Sequence, residues 1–289
     1  MGMFFRVFGN YLKKKSLLDD NQLEALMKYR RENRVKLGLL AIDQGLMTAE
    51  QAEEVNRLQA IQDKRFGEIA IEKGYLTDAD MDQLIAKQGN PYFLFLQAVQ
   101  EKGFLSKDTV TGMLLTYRDE NNLSNDQLEV VKSGTVDAVA DVLLDAGNGH
   151  ALGLIKLAVR NLVRFVSSDI WFERIAIVDK LDAAQLASQK IMAATPIQLG
   201  FVSKNDELLE LACIYGKEEF DSLDADAYDA VCEFINCNNG LYARSHSTLA
   251  DELELLPPTF ENDAVLEGEI YLLTVCINNK EMTIFVKIG

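Results

Sequence analysis

An α+β protein in two parts is the fold class this sequence predicts, and three observations carry it. The first half repeats a helical pattern every 29 residues. From Ala151 onward the repeat stops and stretches with a period of two appear. The pattern there runs helix, three strands, two helices, three strands, which fits an antiparallel sheet covered by helices on one side. At 289 residues the chain is long enough for two such domains, each with its own core.

The repeat is direct. Residues 36–59 read KLGLLAIDQGLMTAEQAEEVNRLQ and residues 65–88 read RFGEIAIEKGYLTDADMDQLIAKQ, two blocks of 24 separated by five residues. Gly38/Gly67, Ala41/Ala70, Ile42/Ile71, Gly45/Gly74, Thr48/Thr77 and Gln59/Gln88 are identical pairs. Stepping back by 29 reaches Phe8, Gly9, Ser16 and Asp19, and stepping forward reaches Gly103 and Ser106, so four copies are expected. In each, a short helix ends at a Gly, the residue best suited to a left-handed cap, and Asp19, Thr48, Thr77 or Ser106 opens a second helix. The early glycines at 9, 38 and 67 let a helix or a ligand approach closely. We expect compact helical repeats over 1–120 and a helical connector over 121–149, with caps at Ser124 and Thr135. The Gly-Asn-Gly at 147–149 marks the boundary to an α+β domain over 150–289.

These blocks resemble the N-terminal domain of the GspE and MshE type of secretion and pilus-assembly ATPases in length, spacer, glycine positions and closing Gln. Some members of that family bind cyclic di-GMP, so the resemblance implies Arg65, Phe66, Gly67 and Gln88 as ligand-binding candidates. Lys36, Leu37, Gly38 and Gln59 are their counterparts in the preceding block. Lys36 lacks the planar guanidinium of the family's Arg, and Ala41 and Ala70 replace its larger Leu. The other reading of the repeats, and the one their departures from that pattern favour, is a structural or protein-docking role. No G-x-x-x-x-G-K-[ST] occurs, so the chain is not expected to hydrolyse nucleotides itself.

The second half opens with ALGLIKLAVRNLVRFVSS at helical spacing and DIWFERIAIV, which alternates at its end like a strand. LASQKIMA and PIQLGFVS, separated by Ala194 and Thr195, read as adjacent strands. Asn205 or Asp206 is placed to cap a helix through DELLELACIYG, ended by Gly216. A longer helix then spans Asp224 to Arg244, capped by Asp224 or Asp226, with Tyr228, Val231, Cys232, Ile235 and Tyr242 as its apolar face. Asp229, Glu233 and Asn236 lie at i, i+4 and i+7 on another face. ELELLPPTF and the hairpin EIYLLTVCIN–NKEMTIFVKI around Asn278, Asn279 and Lys280 close the chain. In that hairpin Ile284, Val286 and Ile288 face one way, and Thr283, Phe285 and Lys287 the other.

Composition narrows the function. The net charge of −16 argues against nucleic-acid backbones as partners, since phosphates require cationic contacts. The acidity is concentrated from Ala151 onward, with 11 Lys and Arg against 22 Asp and Glu. Four free cysteines and two histidines form no metal-ligand spacing and no partnered nucleophile, and fit a reducing cytoplasm. The opening MGMFFRVFGNYLKKK does not read as a signal peptide, and no stretch is apolar and long enough to insert in a membrane.

The run ELACIYGKEEFDSLDADAYDAVCEFINCNNG is similar to the centre of the CheX/CheC/FliY chemotaxis phosphatases, over roughly residues 150–289. That family carries [D/S]-x-x-x-E-x-x-N on an exposed helix, here Asp229, Glu233 and Asn236, with Gly240 following and L-P-P-T at 256–259. The opening helix KLAVRNLVRF lacks a second copy, which matches the single-site CheX pattern. Asn238 and Asn239 stand where members commonly have apolar residues, which implies a broader polar surface or a weakened site. The bare spacing also occurs as Glu53 and Asn56, where no chemistry is expected. The resemblance implies an enzyme that hydrolyses the aspartyl phosphate of a CheY-like receiver domain. Asn236 would orient the water, Glu233 would pair with the receiver's Lys, and Asp229 would support them. No cofactor of its own is implied, since the receiver brings the Mg2+. A homodimer is compatible with this reading, and a non-catalytic adaptor is its rival.

Overall fold

In the computed structural model of the chain, residues 3–144, 148–167, 170–246, 253–278 and 280–289 are described. Gly147, Ser168, Asp169, Glu252 and Asn279, on which expectations above fall, lie outside them. The chain divides into two compact units, Gly2–Gly134 and Thr135–Gly289.

The first unit is helical. Its helices are α1 (Met3–Lys14), α2 (Asp20–Glu32), α3 (Leu37–Asp43), α4 (Ala49–Gln62), α5 (Phe66–Glu72), α6 (Asp78–Lys87), α7 (Pro91–Glu101), α8 (Lys107–Glu120) and α9 (Asn125–Ser133). The turn closing each odd helix from α1 to α7 has one residue at positive φ: Ser16 (58°), Gly45 (69°), Gly74 (70°) and Gly103 (67°). Three of the four are glycine because a Cβ is strained in that conformation. Three residues after each turn, Asp19, Thr48, Thr77 and Ser106 accept the backbone N–H three residues on and start the even helices. The early glycines serve helix contact. A Cβ at Gly67 would lie 2.6 Å from Met81 Cε, and one at Gly38 would lie 3.1 Å from the Phe66 ring. The first and fourth helix pairs meet in an aromatic core, where Phe95 of α7 packs on Phe4, Phe5 and Phe8 of α1 at 5.7, 5.1 and 5.6 Å. α9 opens on a capping box between Ser124 and Gln127 and ends at Gly134 (φ 69°).

The second unit comprises α10 (Val136–Leu143), α11 (Gly149–Phe165), β1 (Ile170–Phe172), β2 (Ala176–Met192), β3 (Ile197–Ser203), α12 (Glu207–Gly216), α13 (Ala225–His246), β4 (Glu254–Leu255), β5 (Thr259–Ile277) and β6 (Lys280–Ile288). From α11 onward the order is helix, three strands, two helices, three strands. The segment expected as a connector is shared: α9 belongs to the first unit and α10 to the second, where Asp141 and Asp137 pair with Lys156 (2.9 Å) and Arg160 (3.4 Å) of α11. Thr135 precedes α10 without a side-chain cap bond.

All strand pairings are antiparallel, in the order β1-β5-β6-β3-β2-β4 with a further pairing of β5 to β2. The ladder therefore closes on itself through β2, β3, β6 and β5. Both long strands exceed their expected lengths. β2 continues through Asp179–Ala184 and β5 through Glu261–Gly268, stretches rich in residues of low strand propensity, because each supplies the other's hydrogen bonds. A register shift between Val178 and Lys180, and positive φ at Asp263 (52°) and Gly268 (119°), bend the pair as bulges do. Enclosed by the curl are Ala183, Leu186, Val202, Ile270 and Phe285. On the other face, Phe201 packs on Phe234 of α13 at 5.6 Å. The alternation expected for β6 follows, with Phe285 inside the curl and Ile284 and Val286 buried on the opposite face.

α12 ends differently from expectation. The left-handed residue is Lys217 (φ 57°), and Gly216 lies inside the helix, where a Cβ would meet Ala230 of α13 at 3.3 Å. Asp206 precedes it without a side-chain cap bond. Glu207 instead accepts the N–H groups of Asn205 (2.8 Å) and Lys204 (3.1 Å).

Candidate functional site

α13 is held by its start and by one face. Asp224 accepts the Ala227 N–H at 3.1 Å and caps the first turn. Tyr228, Val231, Cys232, Ile235 and Tyr242 are all buried, as the spacing predicts. Tyr228 stacks on Phe260 at 3.8 Å and Phe234 meets Tyr215 of α12 at 5.2 Å, so the helix is fixed against both β5 and its neighbouring helix. Burial pushes the Cys232 thiol up to about 11, with the Asp229 carboxylate adding to the effect, so this cysteine stays a neutral core group.

The three stripe residues keep different company. Asp229 and Glu233 are exposed, and Asn236 is partly buried. Beside Glu233, Tyr215 has its hydroxyl pushed up to about 12 by burial, by the neighbouring Cys237 and by Glu233. Asn236 is engaged from below: Gln189 of β2 donates from Nε2 to its Oδ1 at 2.8 Å. The same Nε2 donates to the Leu256 carbonyl at 2.9 Å, and Gln189 Oε1 accepts from Asn239 Nδ2 at 2.9 Å. Asn161 of α11 donates to Asn238 Oδ1 at 2.8 Å, and Asn238 donates to Asn239 Oδ1 at 3.5 Å.

Asn238 and Asn239 are therefore not part of a broader polar surface. Both are fully buried, and their amides are satisfied by other amides instead of by water. Gln189 is the residue that sequence reasoning missed. The available signal was a lone amide in the inward register of LASQKIMA, between Ala187 and Ile191.

The two histidines lie at a separate pocket of about 310 Å3 lined with Asn148, Thr195 and Tyr242. His150 Nδ1 is 2.7 Å from the Tyr242 hydroxyl, and the Tyr242 ring stacks on His246 at 4.1 Å. Among the described residues, no group of three or more His, Cys, Asp or Glu is arranged to hold a metal ion. No helix among them is long and apolar enough to cross a membrane.

In the first unit, the candidate ligand residues are engaged in packing. Phe66 is buried over Gly38, and Gly67 is buried beneath Met81. Gln88 donates to the Val35 carbonyl at 2.8 Å. Arg65 is exposed at the cap of α5, its backbone N–H bonded to Glu68 at 2.8 Å. In the preceding block, Lys36 pairs with Glu101 at 2.7 Å, Leu37 and Gln59 are partly buried, and Gly38 is buried.

No protein-family model and no curated protein matches the chain. Among solved structures it is similar to a CheC-like superfamily protein from Shewanella sp. PV-4, at 12% identity and TM-score 0.43, over 50% of this chain and 99% of the other. It is also similar to the chemotaxis protein CheX from Desulfovibrio desulfuricans, at 11% identity and TM-score 0.39, over 47% of this chain and 96% of that one. A third similar chain belongs to the CheX–CheY–BeF3–Mg2+ complex from Borrelia burgdorferi, at 13% identity and TM-score 0.40, over 47% and 94% of the two chains.

Proposed function

We propose that the second unit is a phosphatase acting on the aspartyl phosphate of a CheY-like receiver domain. The observation that supports this most directly is the state of Asn236. Its amide oxygen is held by Gln189, while its Nδ2 has no acceptor among the described residues. Beside it on the same helix, Glu233 and Asp229 are exposed.

Hydrolysis of an acyl phosphate needs a water in line with the P–O bond and neutralisation of the equatorial oxygens. A receiver supplies the neutralisation with its own Mg2+ and Lys. What it lacks is a group that orients the water without adding negative charge. A neutral amide does this, because Nδ2 donates to a phosphoryl oxygen while the second lone pair of Oδ1 accepts from the water. Glu233, one turn away and in solvent, would pair with the receiver's Lys and set the docking. Asp229 would extend the acidic side of that contact. Positioning of this kind is worth several kcal/mol of barrier when both groups are held.

The test is loss of label from a receiver domain phosphorylated with acetyl phosphate. The protein should accelerate it, and Asn236→Ala should remove at least about 100-fold of that acceleration while leaving the fold intact. No acceleration with any receiver of the same genome would leave the adaptor role in its place.

For the first unit, the packing of Phe66, Gly67 and Gln88 favours a docking role over a nucleotide site. Calorimetric titration with cyclic di-GMP should give no heat at high micromolar ligand. Saturable heat that disappears in Arg65→Ala would reverse this reading.

A further inference from the structure

Gln189 is 2% exposed, and its amide joins three parts of the second unit. It lies on β2, donates to Asn236 on α13 and to the backbone of Leu256, and accepts from Asn239 one turn beyond Asn236. These bonds have only one consistent direction. The Leu256 carbonyl can only accept, so the end of Gln189 that faces it is the NH2 group. The same NH2 faces Asn236, which must therefore turn its oxygen inward and its Nδ2 away. From the other end, Gln189 Oε1 receives the Asn239 NH2, in line with that orientation.

The pattern extends further. Asn161 donates to Asn238, Asn238 to Asn239, Asn239 to Gln189, and Gln189 to Asn236, a head-to-tail run of amides. The step from Asn238 to Asn239, at 3.5 Å, is its longest. Each acceptor in such a run becomes a stronger donor at its other end. The last amide, Asn236, is the one that reaches the surface.

We propose that Gln189 is a positioning residue for Asn236, holding its amide oxygen inward so that the group offered to a phosphoryl oxygen is the NH2. This rests on the phosphatase reading of the stripe. It also gives the buried Asn238 and Asn239 a place, as the amides behind Gln189 in the same run.

Two substitutions test it. Gln189→Met keeps the volume and removes both functions. Gln189→Glu keeps the shape but offers only acceptors, which draws the Asn236 NH2 inward and presents its oxygen to the phosphate. Each variant is assayed as the full chain on a receiver phosphorylated with acetyl phosphate. Its stoichiometry with a beryllofluoride-loaded receiver, measured by calorimetry, counts the folded sites. We expect kcat to fall about 10- to 100-fold in both, KM to stay within about twofold, and the stoichiometry to match wild type. A fully folded Gln189→Met with wild-type kcat overturns the proposal.

Asn236→Ala, run in parallel, separates the two levels. If it too keeps full activity, the reading of the stripe fails. If it is inactive while Gln189→Met is not, only the role of Gln189 fails. Should neither Gln189 variant fold, side-chain amide NMR on the wild-type protein decides. The Gln189 NH2 protons should exchange slowly with solvent and the Asn236 NH2 protons fast, and the opposite order overturns the proposal.

Discussion

The repeat caps of the first unit and the amide run of the second use polar side chains in opposite ways. In the first, Asp19, Thr48, Thr77 and Ser106 are exposed, and each bonds a backbone N–H three residues away. In the second, the amides of Gln189, Asn238, Asn239 and Asn161 are buried, and their partners lie up to 77 residues away in the chain. Local caps stabilise one turn at a time and copy easily from repeat to repeat. A buried amide run stabilises an arrangement of strands and helices and exists only when all of them are assembled. The pairs Glu53–Asn56 and Glu233–Asn236 show the consequence, because both have the same spacing on a helix. Asn56 is exposed and unheld among the described residues, whereas Asn236 is anchored from beneath.

Breaking the buried run should have the largest effect on stability. Asn239→Ala removes the donor to Gln189 Oε1 and leaves that oxygen without its partner in a buried site. We expect a loss of about 2 kcal/mol in denaturant unfolding of the second unit, within the usual range for an orphaned buried polar group. A loss below about 0.5 kcal/mol, typical of a surface change, would erase the contrast between the units.

That contrast also explains what could be read in advance. The turn glycines at 45, 74 and 103 and the caps three residues on are complete signals within each repeat, so the helical pairs of the first unit are visible without the structure. The face of α13 is legible for the same reason, since helical spacing alone separates Val231 and Ile235 from Glu233. The middle of β5, ENDAVLEG, is not legible as a strand, because its reason to be extended is β2, some 80 residues earlier. Gln189 is hidden likewise, its partners being 47 and 50 residues away. Asn238 and Asn239 read as surface because amides usually are, and only the approach of β2 and α11 makes them interior.

A smaller effect sharpens the comparison from the other side. Thr77→Ala removes the acceptor for the Asp80 N–H and should cost about 1 kcal/mol in unfolding of the first unit. Thr48→Ala should cost the same, and because the two caps share no partner, the double variant should equal the sum within about 0.5 kcal/mol. In the amide run the opposite holds. Gln189→Met together with Asn239→Ala should cost clearly less than the sum, since the first change already removes the partner of the second.

Acid provides the weakest and most selective perturbation. In the first unit, Glu54 is held below the ordinary value of 4.5 by the Tyr75 hydroxyl and Lys73, and Glu120 by Lys15 and Tyr11. Asp80 is held below 3.8 by Thr77. A carboxyl lowered in the folded state contributes stability above its unfolded value and loses it as pH falls through the folded one. Among the described residues of the second unit only Glu207 is held low, its bonds to Asn205 and Lys204 overcoming the opposing pull of burial. That half also gains from acid, because protonation relieves the repulsion among 25 acidic residues facing 11 basic ones. Acidification from about pH 6 to about pH 3 should therefore disturb the first unit before the second. The single tryptophan, Trp171, is buried in β1 at 6% exposure and reports on the second unit alone. Far-UV helical signal should begin to fall at a higher pH than the one at which Trp171 fluorescence shifts. A Trp171 transition that comes first, or at the same midpoint, would mean that the two units do not differ in how their carboxylates are held.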